Sequence, residues 1–431
     1  MKYHGSMKRN KDHVIEIGGV SVETLKETYG TPLYIYDGNL LQETLSMFKS
    51  SFSHPHLKGI VAYASKAFLT IGMAQLVDHY DLSIDVASGG ELYTVYKAGF
   101  PMERVYFHGN NKTESELQLA LQLGCGHIII DHELEAKRLM KLAKENNKKV
   151  NVLLRVNPGI DVLTHDYIKT SKLDSKFGMN LENQKTWDLI ALLSQDKYLN
   201  LLGLHAHIGS QIFQTEPFLE NVNILLKTYR KLKDQNIHLK HINIGGGFGV
   251  YYSKGDTPID LKTFLKDLIE YVYQGSLKYD LDLESVIIEP GRSIVSNAGS
   301  TLYTVGGVKH TESGKSYVFI DGGMSDNPRV ALYQAVYESE IANHDEGELK
   351  PYAIAGKLCE SGDILSHQTY LKSPKVDDLL LMSSTGAYTF SMSSNYNRML
   401  RPAVVLVKDN HHQLMVKRQS YDDLIQGDLS L

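Results

Sequence analysis

The sequence predicts an α/β protein, a parallel (β/α)8 barrel joined to a mainly antiparallel β-domain of sandwich or small-barrel type. Between about residues 58 and 290, short β-branched apolar runs alternate with longer amphipathic segments, the pattern of repeated βα units. Eight such runs can be counted, the number a closed barrel needs. After residue 300 the pattern changes to short alternating segments separated by turn-rich stretches. Residues 40–298 are therefore assigned to the barrel, and 1–39 with 299–431 to the β-rich domain.

In chain order, PLYIYD (32–37) comes first and is expected to pair with the β-rich domain. The barrel strands follow as GIVAYAS (59–65), LSIDVAS (82–88), RVYFHG (104–109), HIIID (127–131), VNVLLRV (150–156), LLGLHAH (201–207), HINIGG (241–246) and SVIIEPG (285–291). Between them, ESELQLALQLG, HELEAKRLMKLAKENN and EPFLENVNILLKTYRKLKDQN place apolar residues near i, i+3, i+4 and i+7, which predicts amphipathic helices on the outside. TLYTVGGVKH, KSYVFIDG and AVVLVKD are the expected strands of the β-rich domain.

Composition narrows the function. At 431 residues and 42% hydrophobic content the chain buries a large core, so a small binding module is a poor reading. A net charge of -5 with no run of Lys and Arg interleaved with aromatics gives no footprint for nucleic acid. Two cysteines, Cys125 and Cys359, are too few for a disulfide framework and fit a reducing compartment. The start, MKYHGSMKRNKDH, lacks a following apolar stretch with a cleavage site, and no run is long and apolar enough to span a bilayer, so a soluble cytoplasmic protein is expected.

Barrel chemistry gathers at the C-terminal ends of the strands. Those ends carry Lys66, Asp85, His108, Asp131, Arg155, His207, the glycines Gly245 to Gly247, and Glu289 to Arg292. Lys66 ends a buried-looking strand in YASKAF; a lysine in a partly apolar mouth becomes an amine nucleophile able to capture an aldehyde cofactor, whereas a lone strand-end lysine is usually a solvated side chain. In INIGGGFGV (242–250) three glycines follow the seventh strand, and EPGRS (289–293) follows the eighth, the usual place for a barrel's phosphate site. The alternative is a tight βα connection, and the spacing is not G-x-G-x-x-G, since position 250 is Val. His205 and His207 of HAH are read as pointing to opposite faces, which makes a shared metal the weaker interpretation and no metal is assigned. His207 is expected at the mouth, stacked on a planar ring.

YASKAF, DVASGGEL (85–92), HAHIGSQ (205–211), GGGFG (245–249), EPGRS and CESGD (359–363) together resemble the diaminopimelate/ornithine decarboxylase family, with its alanine-racemase-like barrel, over almost the whole chain. DGGMSDNPRVALY (321–333), LCESGD and GAY (386–388) look most like the diaminopimelate branch. By that resemblance Lys66 carries pyridoxal phosphate, His207 stacks on its ring, and Ser210, Gly245, Gly246, Gly247, Pro290, Gly291, Arg292 and Tyr388 hold it, mainly at the phosphate. Glu289 faces the pyridine nitrogen and keeps it protonated, which makes the ring a strong electron sink.

The resemblance also implies that Cys359 is the proton donor, Cys125 being assigned to packing, and that Arg292, Arg329, Tyr333, Glu360 and Tyr388 bind substrate, with Glu360 the partner of its distal ammonium. The implied reaction is decarboxylation of meso-2,6-diaminopimelate at its D-configured centre to L-lysine and CO2, the last step of lysine synthesis, by a homodimer whose CESGD loop reaches the partner's barrel. The rival readings are a decarboxylase of ornithine or arginine, an amino-acid racemase, and a regulatory relative without catalysis. Asn327 and Pro328 depart from the expected pattern before Arg329, and Asp85, His108 and Arg155 have no assigned role.

Overall fold

The computed structural model describes residues 1–160 and 176–431. The chain forms two compact units, one of Leu45–Gly249 with Thr257–Ser293 and one of Met1–Thr44, Val250–Asp256 and Ile294–Leu431.

All eight apolar runs become strands of the first unit: β1 Lys58–Ala64, β2 Ser83–Val86, β3 Val105–Phe107, β4 His127–Ile130, β5 Val150–Asn157, β6 Leu199–His205, β7 His241–Asn243 and β8 Ser285–Ile288. Each pairs in parallel with the next, and β8 returns to β1 through Ser285↔Lys58 and Ile288↔Val61, closing the barrel. Closure leaves no open edge among these strands. Ile60 packs inside against buried Ala62, Tyr106, Ile129, Leu153 and Ile287, so the barrel is filled rather than hollow.

The outer helices begin where the sequence supplies caps. Thr113 and Glu116 form a reciprocal capping box at Glu114–Leu123, and Gly124 ends that helix at φ 74, a left-handed geometry glycine adopts without strain. Ser88 caps Gly89–Lys97 through the Glu91 N–H, and Thr70 caps Ile71–His79 through Met73. Glu133–Glu145 and Glu216–Lys233 bury one face each, as their periodicity predicts.

The second unit is built on a long strand, Gly299–His310, which pairs antiparallel with Ser316–Ile320, Leu379–Met382 and Leu33–Asp37. Leu33–Asp37 is buried throughout and joins this sheet as expected. It also runs parallel to Ala403–Lys408, and Ser316–Ile320 runs parallel to Leu349–Ala355, so the sheet is mixed. Two apolar clusters fill the unit, one around Leu33, Ile35, Leu302 and Val405 and one around Tyr303, Val318, Ile354 and Leu380.

Candidate active site

The most constrained group at the C-terminal end of the barrel is Glu289, just past β8 and 7% exposed. Its Oε1 accepts hydrogen bonds from His108 Nε2 at 2.8 Å and Asn243 Nδ2 at 2.6 Å, and its Oε2 accepts one from His205 Nε2 at 3.0 Å. The donors come from the end of β3, the last residue of β7 and the last residue of β6. The two imidazoles meet edge to face with ring centroids 4.8 Å apart.

Burial alone would raise the Glu289 carboxyl, but the imidazoles beside it outweigh that effect and hold it well below the usual carboxylate range. Burial lowers both imidazoles, His205 to about 4, while the Glu289 charge and its hydrogen bonds pull each of them back up. The Nδ1 of His205 is a buried nitrogen with no hydrogen-bond partner among the described residues. Asp85, at the end of β2, goes the other way: burial and the Glu289 charge raise it well above the usual range, against Lys66 and Arg155. One interior thus shifts two carboxyls in opposite directions, a division found where acid-base chemistry is arranged.

His108, His205 and Glu289 place ligand atoms within 4.8 Å of one another, close enough to gather a cation. The expectation that His205 and His207 face opposite ways is incorrect. Residues two apart on a strand share a face, so both imidazoles project into the same interior, His205 deep against Glu289 and His207 one step nearer the mouth. His207 Nδ1 accepts the Gly246 N–H at 3.2 Å, and burial, with Lys66 and Arg155 nearby, keeps that ring neutral.

Lys66 sits in a single turn of 3-10 helix, Ser65–Ala67, directly after β1, with its side chain exposed between two buried neighbours. Glu91 of DVASGGEL accepts the Ser65 hydroxyl at 3.1 Å and the Ala87 N–H at 2.6 Å, tying the Lys66 turn to the one after β2. Gly291 lets the turn after β8 lie on the same place, since a Cβ there would stand 2.9 Å from the Ala64 Cβ. Arg292 donates from Nε and Nη2 to Ser210 Oγ at 3.2 and 3.1 Å, joining the turns after β8 and β6.

The glycine run has a second reason to exist. A Cβ on Gly246 would lie 2.0 Å from the Glu289 carbonyl oxygen and one on Gly247 2.3 Å from that of Gly209, so close backbone packing alone demands glycine at both. Phe248 anchors the turn from below, buried and stacked on Phe218 at 4.9 Å. The tight connection weighed against the phosphate reading is therefore real, whatever else the turn binds.

Arg329, Tyr333, Cys359, Glu360 and Tyr388 lie in the second unit. Arg329, which in isolation resembles a surface charge, is 8% exposed, donates Nε–H to Tyr337 Oη at 3.0 Å, and sets its guanidinium 5.2 Å from the Tyr333 ring and 5.4 Å from the Tyr388 ring. Pro328 starts the short helix Arg329–Tyr333, where its fixed φ suits the chain. Asn327 Oδ1 accepts the Arg329 N–H. Cys359 and Glu360 are exposed on a loop held by buried Asp363, whose carboxylate accepts N–H groups from Met324 at 2.6 Å and Leu358 at 2.8 Å. Cys125 is different: burial pushes its thiol up to about 12, and its Sγ–H lies on the His127 carbonyl.

Three residues of the Glu289 cluster were missed or left without a role by sequence reading: Asn243, His108 and His205. The signal for Asn243 was present, since an amide in the buried run HINIGG needs a partner. Arg155, also unassigned, is half-buried, 3.9 Å from Asp131 and 4.4 Å from the Phe177 ring.

This barrel and its constellation define a class, the pyridoxal-dependent decarboxylases: residues 39–296 match the family model of their pyridoxal-binding domain. The diaminopimelate decarboxylase of Bacillus subtilis is 46% identical over 431 residues, all of this chain and 98% of its own, and that of Staphylococcus aureus is 42% identical over 424 residues, 98% of this chain and 99% of its own. A crystal structure of diaminopimelate decarboxylase from M. jannaschii in complex with L-lysine superposes with a TM-score of 0.92 at 32% identity, covering 99% of this chain and 98% of that one. The chain belongs to the diaminopimelate decarboxylase family, and its cofactor is pyridoxal phosphate. The residues at the mouth fit that group by their chemistry: an amine on the Lys66 turn, a carboxylate held ionised, a neutral imidazole, and a guanidinium with a hydroxyl beside a glycine turn.

Proposed function

We propose that the chain decarboxylates meso-2,6-diaminopimelate to L-lysine and CO2, the final step of lysine synthesis. The observation that carries this reading is full-length likeness, at up to 46% identity, to relatives named for that reaction. When bound, the cofactor supplies an electron sink for the electron pair that CO2 leaves behind.

The chain's own residues do the rest. Lys66 would anchor the cofactor aldehyde through its amine, and His207 would stack on its ring. Ser210, the Gly245 to Gly247 turn, Pro290, Gly291, Arg292 and Tyr388 hold it, chiefly at its phosphate; the Arg292–Ser210 pair supports this by already joining two of those turns. Glu289 keeps a proton on the ring nitrogen, a task its ionised state suits. The planar guanidiniums of Arg292 and Arg329 suit substrate carboxylates, Tyr333 and Tyr388 flank Arg329, and Glu360 pairs with the distal ammonium. Cys359 donates the proton that replaces CO2 on the substrate carbon; its exposure on a fixed loop supports a role toward something outside its own unit. The working form is a two-fold homodimer with shared sites, in the cytoplasm.

The test is a visible spectrum of the purified protein with pyridoxal phosphate, followed by borohydride reduction and peptide mapping. The reading expects a visible band and a cofactor adduct on Lys66, with no band in Lys66→Ala. An adduct on another lysine, or a band that survives Lys66→Ala, overturns the anchor assignment.

A further inference from the structure

We propose that His108, His205 and Asn243 are positioning residues that preset Glu289, leaving it one acceptor position for the cofactor's ring nitrogen; the inference rests on the functional reading above. An ionised carboxylate has about four acceptor positions. Three are taken, two on Oε1 by His108 and Asn243 and one on Oε2 by His205, and these are all the hydrogen bonds that Glu289's carboxylate makes among the described residues. The remaining position lies on Oε2. Three donors from three different strands also fix the plane of the carboxylate, so it cannot rotate to offer a different oxygen.

Each donor is itself held. Asn243 is fully buried, its Oδ1 accepts the Gly245 N–H at 2.9 Å, and its amide therefore presents NH2 to Glu289 and cannot flip without losing two bonds. His205 and His108 brace each other edge to face. A carboxylate fixed this way needs no reorganisation to receive an N–H that carries positive charge, which is the source of most electrostatic assistance in enzyme interiors. The other charged or titratable groups facing Glu289 are Asp85, Tyr106, Arg155 and His207, with Lys66 close to Asp85 and His108. Burial and the Glu289 charge raise Asp85, which disfavours a second anion beside Glu289.

The experiment follows the carboxyl of Glu289 by infrared difference against Glu289→Gln, over a pH series, in the full-length protein with and without added pyridoxal phosphate. Affinity for pyridoxal phosphate is measured in parallel. Wild type keeps Glu289 ionised through the range where ordinary carboxyls titrate. In His205→Phe, and in His108→Phe, the band moves up into or beyond that range and affinity falls by about tenfold per lost donor. His205→Gln, which keeps an N–H donor, restores both. Should a Phe variant fail to fold by circular dichroism, Asn243→Ala removes the third donor and carries the same expectation. Titration and affinity unchanged in every donor-deleting variant, or His205→Gln as impaired as His205→Phe, overturns the proposal. These readouts do not depend on turnover, so a wild-type protein that releases no CO2 from any diamino acid would sink the functional reading while leaving the cradle standing.

Discussion

Lys112 and Glu135 form an ion pair at 2.7 Å with both side chains 1% exposed, next to the turns that carry His108 and Asp131. Lys112 also donates to the carbonyls of Gly109 at 2.8 Å and Ile129 at 2.7 Å, while Glu135 accepts the Asp131 N–H at 3.1 Å. Burial pushes the lysine down and the glutamate up, so each depends on the other to stay charged. Replacing Lys112 with Met strands a buried carboxylate and strips a donor from two carbonyls, which should cost about 3–5 kcal/mol. Replacing both, as Lys112→Met with Glu135→Leu, removes the two desolvation penalties together and should recover at least about half of that loss. The single tryptophan, Trp187, lies in the barrel unit, so urea unfolding followed by its fluorescence reports the barrel. A Lys112→Met protein within about 0.5 kcal/mol of wild type, or a double variant no better than the single, would refute the reasoning.

Glu289→Gln should fold, bind cofactor and lose about 10²–10³-fold in kcat for lysine formation, the loss typical of removing one preorganised charge-stabilising group; a change under threefold would remove the carboxylate from the chemistry. Cys359→Ala should keep the visible cofactor band but slow turnover or misplace the proton, read as reduced L-lysine per CO2 released, and an unchanged turnover would exclude the thiol. Asp326 is 1% exposed and burial raises it to about 7. An acid raised on folding stabilises while protonated, so its contribution is present below the unfolded carboxyl value and is lost as pH rises toward 7. Asp326→Asn keeps an acceptor for the Gly323 N–H and should therefore melt progressively higher than wild type as pH rises from 5 to 8; parallel melting curves across that range would contradict the sign.

The barrel was legible because its strands announce themselves locally, by short apolar runs alternating with amphipathic helical patterns. The cap residues Thr113 and Ser88 fall where those helices begin. Which side chains meet at the mouth was less legible, because it depends on closure: His108 and Glu289 are 181 residues apart and meet only when β8 returns beside β1. The misreading of HAH came from period arithmetic, since i and i+2 share a strand face, and correcting it would have brought His205 inward at once. Arg329 was legible only by resemblance. Its burial depends on Tyr337 and the ring of Tyr388, which lies 59 positions further on, and no local pattern encodes that meeting. Lys112 and Glu135 drew no notice in the sequence, because sequence does not show which charges a closed sheet will enclose.

The central claim is tested most directly by supplying the protein, loaded with pyridoxal phosphate, separately with meso-diaminopimelate, ornithine and arginine, and measuring CO2 together with the amino-acid product. Equal amounts of CO2 and L-lysine from meso-diaminopimelate, with little release from the other two, is the predicted result. Preferred release from ornithine or arginine, or no release from any of them by a protein that carries the cofactor on Lys66, would contradict it.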